Sequence, residues 1–330
     1  MFDNNFLKKL EYLLIVSRRT IRSGFTGNGK SGSVEIFTNR RKPQFNGGTD
    51  FADHRVYVKG DDLRRLDWNL FARLGEQFIK RFETNEELNI YFLLDCSASM
   101  QAGNGNFNKY NYARRVIASL AYIALSDFNR VGIVCFDNMI RRTFSPIRGK
   151  RKFLNLLKFL ERNQSTENAT NIRLSVENFI KQTQRTGAVI IASDFFDRNG
   201  FQTAIDQLRY NKFEPMIIQI HTDFESDPQL QFALSSNAQT NFNLVSMENE
   251  TITINGKTNS LNNNEINVTI NESMLNQYKI CFADFLEEIR KYCVKNGIGC
   301  AITNTLLPYD KLILQMINNG NILNHTYLNL

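Results

Sequence analysis

One stretch restricts the fold of this chain more than any other. Residues 88–94 are almost wholly apolar, with Tyr91, Phe92, Leu93 and Leu94 in succession, and they run into Asp95-Cys96-Ser97-Ala98-Ser99-Met100. A short apolar run without alternation marks a strand buried on both faces, as in sheets covered by helices on each side. Residues 110–125 follow with helical periodicity, so strand, turn and helix come in the order of an α/β unit. Asp95 then sits where the strand leaves the sheet, with Ser97 and Ser99 on the turn. Ligands of open α/β sheets collect just outside the carboxyl ends of the strands. Three oxygen side chains within five residues at such an edge suit a hard cation such as Mg²⁺.

The chain beyond Met100 repeats the pattern. Residues 131–136 and 187–193 are further apolar strands, and the second delivers Asp194 at its carboxyl end. Residues 139–145 read as a hairpin partner of the first, and 153–160 and 172–182 as helices. Between those helices lies a polar loop, 165–171, in which Thr170 stands at a helix start. A strand at 213–220, a helix at 274–296, a strand at 297–303 and a helix at 309–317 complete the unit. The stretch from 229 to 273 is rich in Asn, Ser and Thr, and its alternating runs at 251–254 and 266–270 predict a hairpin on the sheet edge or an insertion. Residues 318–330 read as a polar tail.

Ahead of this unit, residues 5–22 have helical spacing of Leu7, Leu10, Leu14 and Ile21. Gly24 to Ser31 then matches the phosphate-loop pattern G-x-x-x-x-G-K-[ST] letter for letter. A working loop needs a buried strand before it and a helix after it. Here a basic helix precedes and the strand-like 33–37 follows, so the match is read as coincidence. Residues 51–73 alternate Arg with Asp, which predicts a structural ion-pair network, with Gly60-Asp61-Asp62 as a turn and cap ahead of an apolar stripe of Leu63, Leu66 and Leu70. His54 has no second His or Cys beside it and reads as structural.

Of 330 residues, 42% are hydrophobic and 22% charged, which is ordinary for a globular chain. No apolar run approaches the roughly 20 residues that cross a bilayer, and the N-terminus lacks a signal-peptide pattern. Five cysteines, an odd number without a C-x-x-C pair, agree with a reducing compartment, so a cytoplasmic protein is expected. Net charge is +7, with many basic residues between Lys8 and Arg81. That region suits a protein partner or a solvated, ion-paired face better than nucleic acid, because no nucleic-acid motif accompanies it.

Phe51-Ala52-Asp53-His54-Arg55, Gly60-Asp61-Asp62-Leu63-Arg64, Leu66-Asp67-Trp68, Ala72-Arg73 and Asp95-Cys96-Ser97-Ala98-Ser99-Met100 occur in that order. Together they resemble the bacterial domain-of-unknown-function-58 family, from about Ser31 to Asp197. Its members are similar to von Willebrand factor A domains and are often encoded beside MoxR-type AAA+ ATPases. The resemblance implies a metal-ion-dependent adhesion site of Asp95, Ser97, Ser99, Thr170 and Asp194, binding Mg²⁺ or Mn²⁺. Relatives often carry Gly-Gly-Thr-Asp at the second loop, where this chain has Asn168-Ala169-Thr170-Asn171. An acidic residue of a protein partner would complete such a site.

Enzyme chemistry is less well supported. The place two after Asp95, where phosphoaspartyl transfer wants a second carboxylate, holds Ser97. The three histidines, His54, His221 and His325, lie in no hydrolase motif. The expectation is therefore an α/β fold with a von Willebrand A-like, mostly parallel sheet and helices on both faces. Residues 1–86 form a basic N-terminal region packing on a main domain of 87–330, with the polar insertion near 229–273. The function expected is a non-catalytic, metal-dependent adaptor acting with a MoxR-type ATPase on client proteins. A basic nucleic-acid or membrane-surface adaptor and a metal-dependent hydrolase are the alternatives.

Overall fold

A computed structural model describes residues 2–22, 41–44, 50–59, 61–85, 87–103, 105–166, 168–228, 241–245, 250–254, 257–261, 265–269 and 272–318. The phosphate-loop match at 24–31, the expected strand at 33–37 and the tail from 319 lie outside the described residues.

The chain divides into two compact units, Met1–Phe37 with Asn89–Leu330, and Thr38–Leu88. The larger holds a six-stranded sheet of β4 (Asn89–Asp95), β5 (Arg130–Phe136), β6 (Ile140–Arg148), β7 (Ala188–Ser193), β8 (Glu214–His221) and β13 (Gly299–Asn304). Its order is β13-β8-β7-β4-β5-β6, and every pairing is parallel except that of β6 with β5. The antiparallel β6 is the expected hairpin partner, here extended to Arg148.

Alternation within β4 explains why helices cover both faces. Tyr91 and Leu93 join Val189, Ile191 and Ile217 in a core with Val176 and Phe179 of α5 (Ile172–Gln182), Leu208 of α6 (Gln202–Tyr210) and Ile289 of α8 (Glu272–Asn296). Ile90, Phe92 and Leu94, equally buried, project to the other face. There α3 (Lys109–Ser126) packs on β4 and β5, with α1 (Asn4–Arg22) and α9 (Tyr309–Asn318) against it. Beside α3 lies α4 (Phe153–Arg162), which buries Leu156 and Leu160.

No helix was expected at 202–210, and two local expectations need adjustment. Residues 202–210 form α6, whose polar sequence hid a stripe of only three buried residues, Ala204, Ile205 and Leu208. Among its described residues the 229–273 stretch adds no strand to the central sheet, which sets aside the edge hairpin and leaves the insertion. It forms two separate two-stranded ladders, β9 (Asn241–Val245) with β12 (Glu265–Thr269) and β10 (Glu250–Ile254) with β11 (Lys257–Leu261). In the smaller unit, the helix expected behind Asp62 splits. Asp62 caps a 3-10 turn at Leu63–Arg65, and Asp67 caps α2 (Trp68–Leu74) through the amides of Asn69 and Leu70. Leu66 alone of the expected leucine stripe is buried.

That smaller unit has a three-stranded antiparallel sheet, β1 (Arg41–Gln44), β3 (Phe78–Asn85) and β2 (Asp50–Val56), in the order β1-β3-β2. Asp67 also accepts from His54 Nε2 at 2.9 Å and faces Lys80 Nζ at 3.4 Å, while Arg55 and Asp61 pair at 2.7 Å. Arg55–Asp61 is an Arg–Asp pair of the kind expected of the block, whereas Asp67 is partnered by His54 and Lys80.

Candidate functional site

The chain runs from β4 to β5 and β6 on one side, then returns to β7 on the other side of β4. That reversal opens a crevice at the carboxyl ends of β4 and β7, the usual ligand position of such a sheet. Asp95 ends β4 and Asp194 follows the last residue of β7, and both are fully buried.

Each Asp95 oxygen already has a partner. The Ser97 amide donates to Oδ1 at 2.9 Å, and the Ser193 hydroxyl donates to Oδ2. Burial and the nearby Asp194 charge push the Asp95 carboxyl up to about 7, against the lowering effect of those bonds. Ser97 Oγ lies 3.0 Å from Ser99 Oγ, so the two hydroxyls of the first loop face one place. Asp194 Oδ1 accepts from the Phe196 amide at 3.1 Å, and between them Phe195 has a left-handed backbone, φ +61°.

The second loop is held against the first by its backbone. Ala98 N–H donates to Asn168 O at 3.0 Å, Thr166 N–H donates to Cys96 O at 2.6 Å, and Gln101 Nε2 donates to Thr166 O at 2.9 Å. Its anchor is the buried Asp137, which accepts from Asn168 Nδ2, Thr166 Oγ1 and Arg141 Nε. Burial alone raises that carboxyl, but these bonds and the Met139 amide outweigh it and hold the pKa below the usual range. Asn171 caps α5 through the Leu174 amide. Thr170 precedes it, and its buried Oγ1 has no hydrogen-bond partner.

Sequence reasoning missed three residues here. Lys109, the first residue of α3, is fully buried, with Nζ 2.7 Å from Asp194 Oδ2 and bonded also to Glu225 Oε1. Burial lowers its pKa, yet the two carboxylates prevail and the net shift is upward. A cation in the first turn opposes the helix dipole, so the carboxylates hold it there. Glu225 belongs to α7 (Asp223–Ser226), where it completes a capping box with Thr222. Thr222-x-x-Glu225 was a visible signal for that cap. Ser193, the third, looked like the last residue of a strand and nothing more.

Phe196 lies under Lys109, 5.4 Å from Nζ to ring centroid, and stacks on Phe285. Cys96, next to Asp95, is buried, and its bond to Cys135, with burial, pushes its pKa far up. Among the described residues no group of three or more His, Cys, Asp or Glu side chains is placed to hold a metal. The expected set has two carboxylates and three hydroxyls.

A family profile described as Protein of unknown function DUF58 matches residues 53–230. Uncharacterized proteins of Mycobacterium bovis and Mycobacterium tuberculosis are each 22% identical over 150 residues, 45% of this chain and 47% of theirs. The chain thus spans about half the length of these curated relatives. Among solved structures, the conserved hypothetical protein BatB of Bacteroides thetaiotaomicron is 16% identical at a TM-score of 0.41, covering 71% of this chain and 98% of that one. An aerotolerance-related membrane protein of Bacteroides fragilis is 17% identical at 0.38, covering 70% and 99%. No helix among the described residues is long and apolar enough to cross a membrane.

Proposed function

The chain belongs to the family described as Protein of unknown function DUF58, and from that premise we propose a non-catalytic, metal-dependent protein-binding adaptor of von Willebrand A-like type. The observation that carries the reading is Thr170 Oγ1, buried without a partner on the loop whose backbone is bonded to the Asp95–Ser99 turn. A buried hydroxyl left unpaired costs roughly 1–3 kcal/mol, a cost that a ligand taking its lone pair would relieve. Burial first, and the Asp194 charge second, raise the Asp95 pKa to about 7, so a cation bound there would favour its ionised form.

Asp95, Ser97, Ser99, Thr170 and Asp194 fit Mg²⁺ or Mn²⁺ by donor type, being oxygen groups only. When bound, the ion supplies a positive centre open to one more carboxylate. The chain's own residues do the positioning. Ser97 and Ser99 are held by the turn after β4, Thr170 by the Asp137-anchored loop, and Asp194 by the Phe196 amide and Lys109. Each oxygen of Asp95 and of Asp194 accepts one hydrogen bond, which orients the carboxylates and leaves a further lone pair on each oxygen. An acidic side chain of a partner protein then completes the site.

The family resemblance makes a MoxR-type AAA+ ATPase the partner of choice, and the cysteine usage makes the cytoplasm the place. Co-purification of such an ATPase with the full chain, in Mg²⁺ and in chelator, tests the reading. Wild type retains it only in Mg²⁺, and Asp95→Ala does not retain it; equal retention in chelator overturns the proposal.

A further inference from the structure

The opposite end of the sheet carries a second, independent feature. Arg130 opens β5 and is the register partner of Arg148, which closes β6, whereas Asp95 pairs with Phe136 at the far end of the same strands. Seven residues of strand put these ends about 20 Å apart. Gly149 turns the chain from Arg148 into a 3-10 turn of Lys150, Arg151 and Lys152. Arg148, Lys150, Arg151 and Lys152 are all exposed. Arg18 of α1 reaches the same corner, 3.9 Å from Asp127 and bonded to Ser126 O. Six basic residues therefore lie at this end of the sheet, with Asp127 facing Arg18.

Phe128 stands in their midst, next to Asp127. It is 62% exposed and its backbone is left-handed, φ +62°. A bulky side chain in that conformation is strained, and glycine is the residue suited to it. The Arg148 guanidinium lies over the Phe128 ring at 6.0 Å, and Lys150 Nζ lies over Tyr122 at 4.7 Å. An aromatic ring held outward at a cost in strain, with cations around it, is the pattern of an interfacial anchor: ring among lipid headgroups, basic heads on phosphates.

We infer that this corner of the larger unit docks on an anionic lipid bilayer, with Phe128 entering the headgroup layer. Nucleic acid fits less well, because single-strand binding uses successive aromatic faces along a groove, and this corner offers one ring at the tip of a turn. Docked in this way, the Asp95 crevice lies at the end of the sheet away from the membrane.

Sedimentation of the full chain with phosphatidylglycerol-containing vesicles and with pure phosphatidylcholine vesicles tests the inference. Wild type sediments with the anionic vesicles only and is released by high salt. Arg151→Glu with Lys152→Glu, both exposed, lowers partitioning by at least about a hundredfold. Phe128→Gly weakens it by about tenfold while leaving the melting temperature equal or higher, because glycine relaxes the turn. The inference falls if wild type ignores anionic vesicles at low salt, or if both variants bind like wild type. It falls equally if a DNA duplex retains the chain more strongly than the vesicles and the charge-reversal variant loses that retention.

Discussion

Lys109 Nζ lies 2.7 Å from Asp194 Oδ2, and neither side chain reaches solvent. This ion pair joins the start of α3 to the end of β7 and draws in Glu225 of α7, which follows β8. The crevice is thus built around a fixed internal cation as well as two strand-end carboxylates.

Removing that cation leaves two carboxylates facing each other without compensation. Lys109→Met is expected to cost about 3–5 kcal/mol, the usual penalty for breaking a buried pair from one side. Adding Asp194→Asn to it restores part of the loss. Urea unfolding of the two variants gives the comparison, and an unchanged midpoint for Lys109→Met shows that the pair does not stabilise the fold.

His221 sets a pH dependence of stability. Burial first, and the Lys109 charge second, lower its pKa to about 4 from the ordinary 6.5. Between those values the unfolded chain binds a proton at His221 and the native chain does not. Stability from this group is therefore complete above about pH 6.5 and is lost as pH falls towards 4. A series of urea midpoints across that window has a shallower slope for His221→Gln than for wild type. Equal slopes contradict the assignment.

In the smaller unit, Asp67 caps α2 and partners both His54 and Lys80, and its pKa is lowered to about 2 by the His54 bond first and then by the Leu70 amide. Asp67→Ala removes a cap generally worth about 1 kcal/mol. Hydrogen exchange at the Asn69 and Leu70 amides accelerates accordingly. Arg64 is exposed, and its amide rather than its guanidinium meets Asp62, so Arg64→Ala changes those rates little.

How far the sequence disclosed all this depended on what each residue resembles. Strands β4 and β7 were legible because a strand buried on both faces needs an uninterrupted apolar run, and Asp95 and Asp194 stood out by ending such runs. Lys109 was invisible for the opposite reason. A lysine at a helix start reads as solvated, and only the meeting of Asp194 with Glu225, 31 residues apart in the chain, accounts for its burial. Asp62 and Asp67 both look like caps, and choosing between them required the backbone. The 229–273 stretch had strand-like alternation, but alternation does not tell a strand which partner to choose, and its ladders pair among themselves.

The central claim is that Thr170 and its neighbours hold a divalent ion, and one measurement addresses it most directly. Thermal melting of wild type and Thr170→Val, each with and without Mg²⁺, separates an ion ligand from a structural hydroxyl. Valine keeps the shape and removes an unpaired buried hydroxyl, so without metal the variant melts no lower than wild type. Mg²⁺ raises the wild-type midpoint, as any ligand of the native state does, and leaves the variant where it was. A wild type indifferent to Mg²⁺, or a variant that melts lower without metal yet shifts fully with it, contradicts the account.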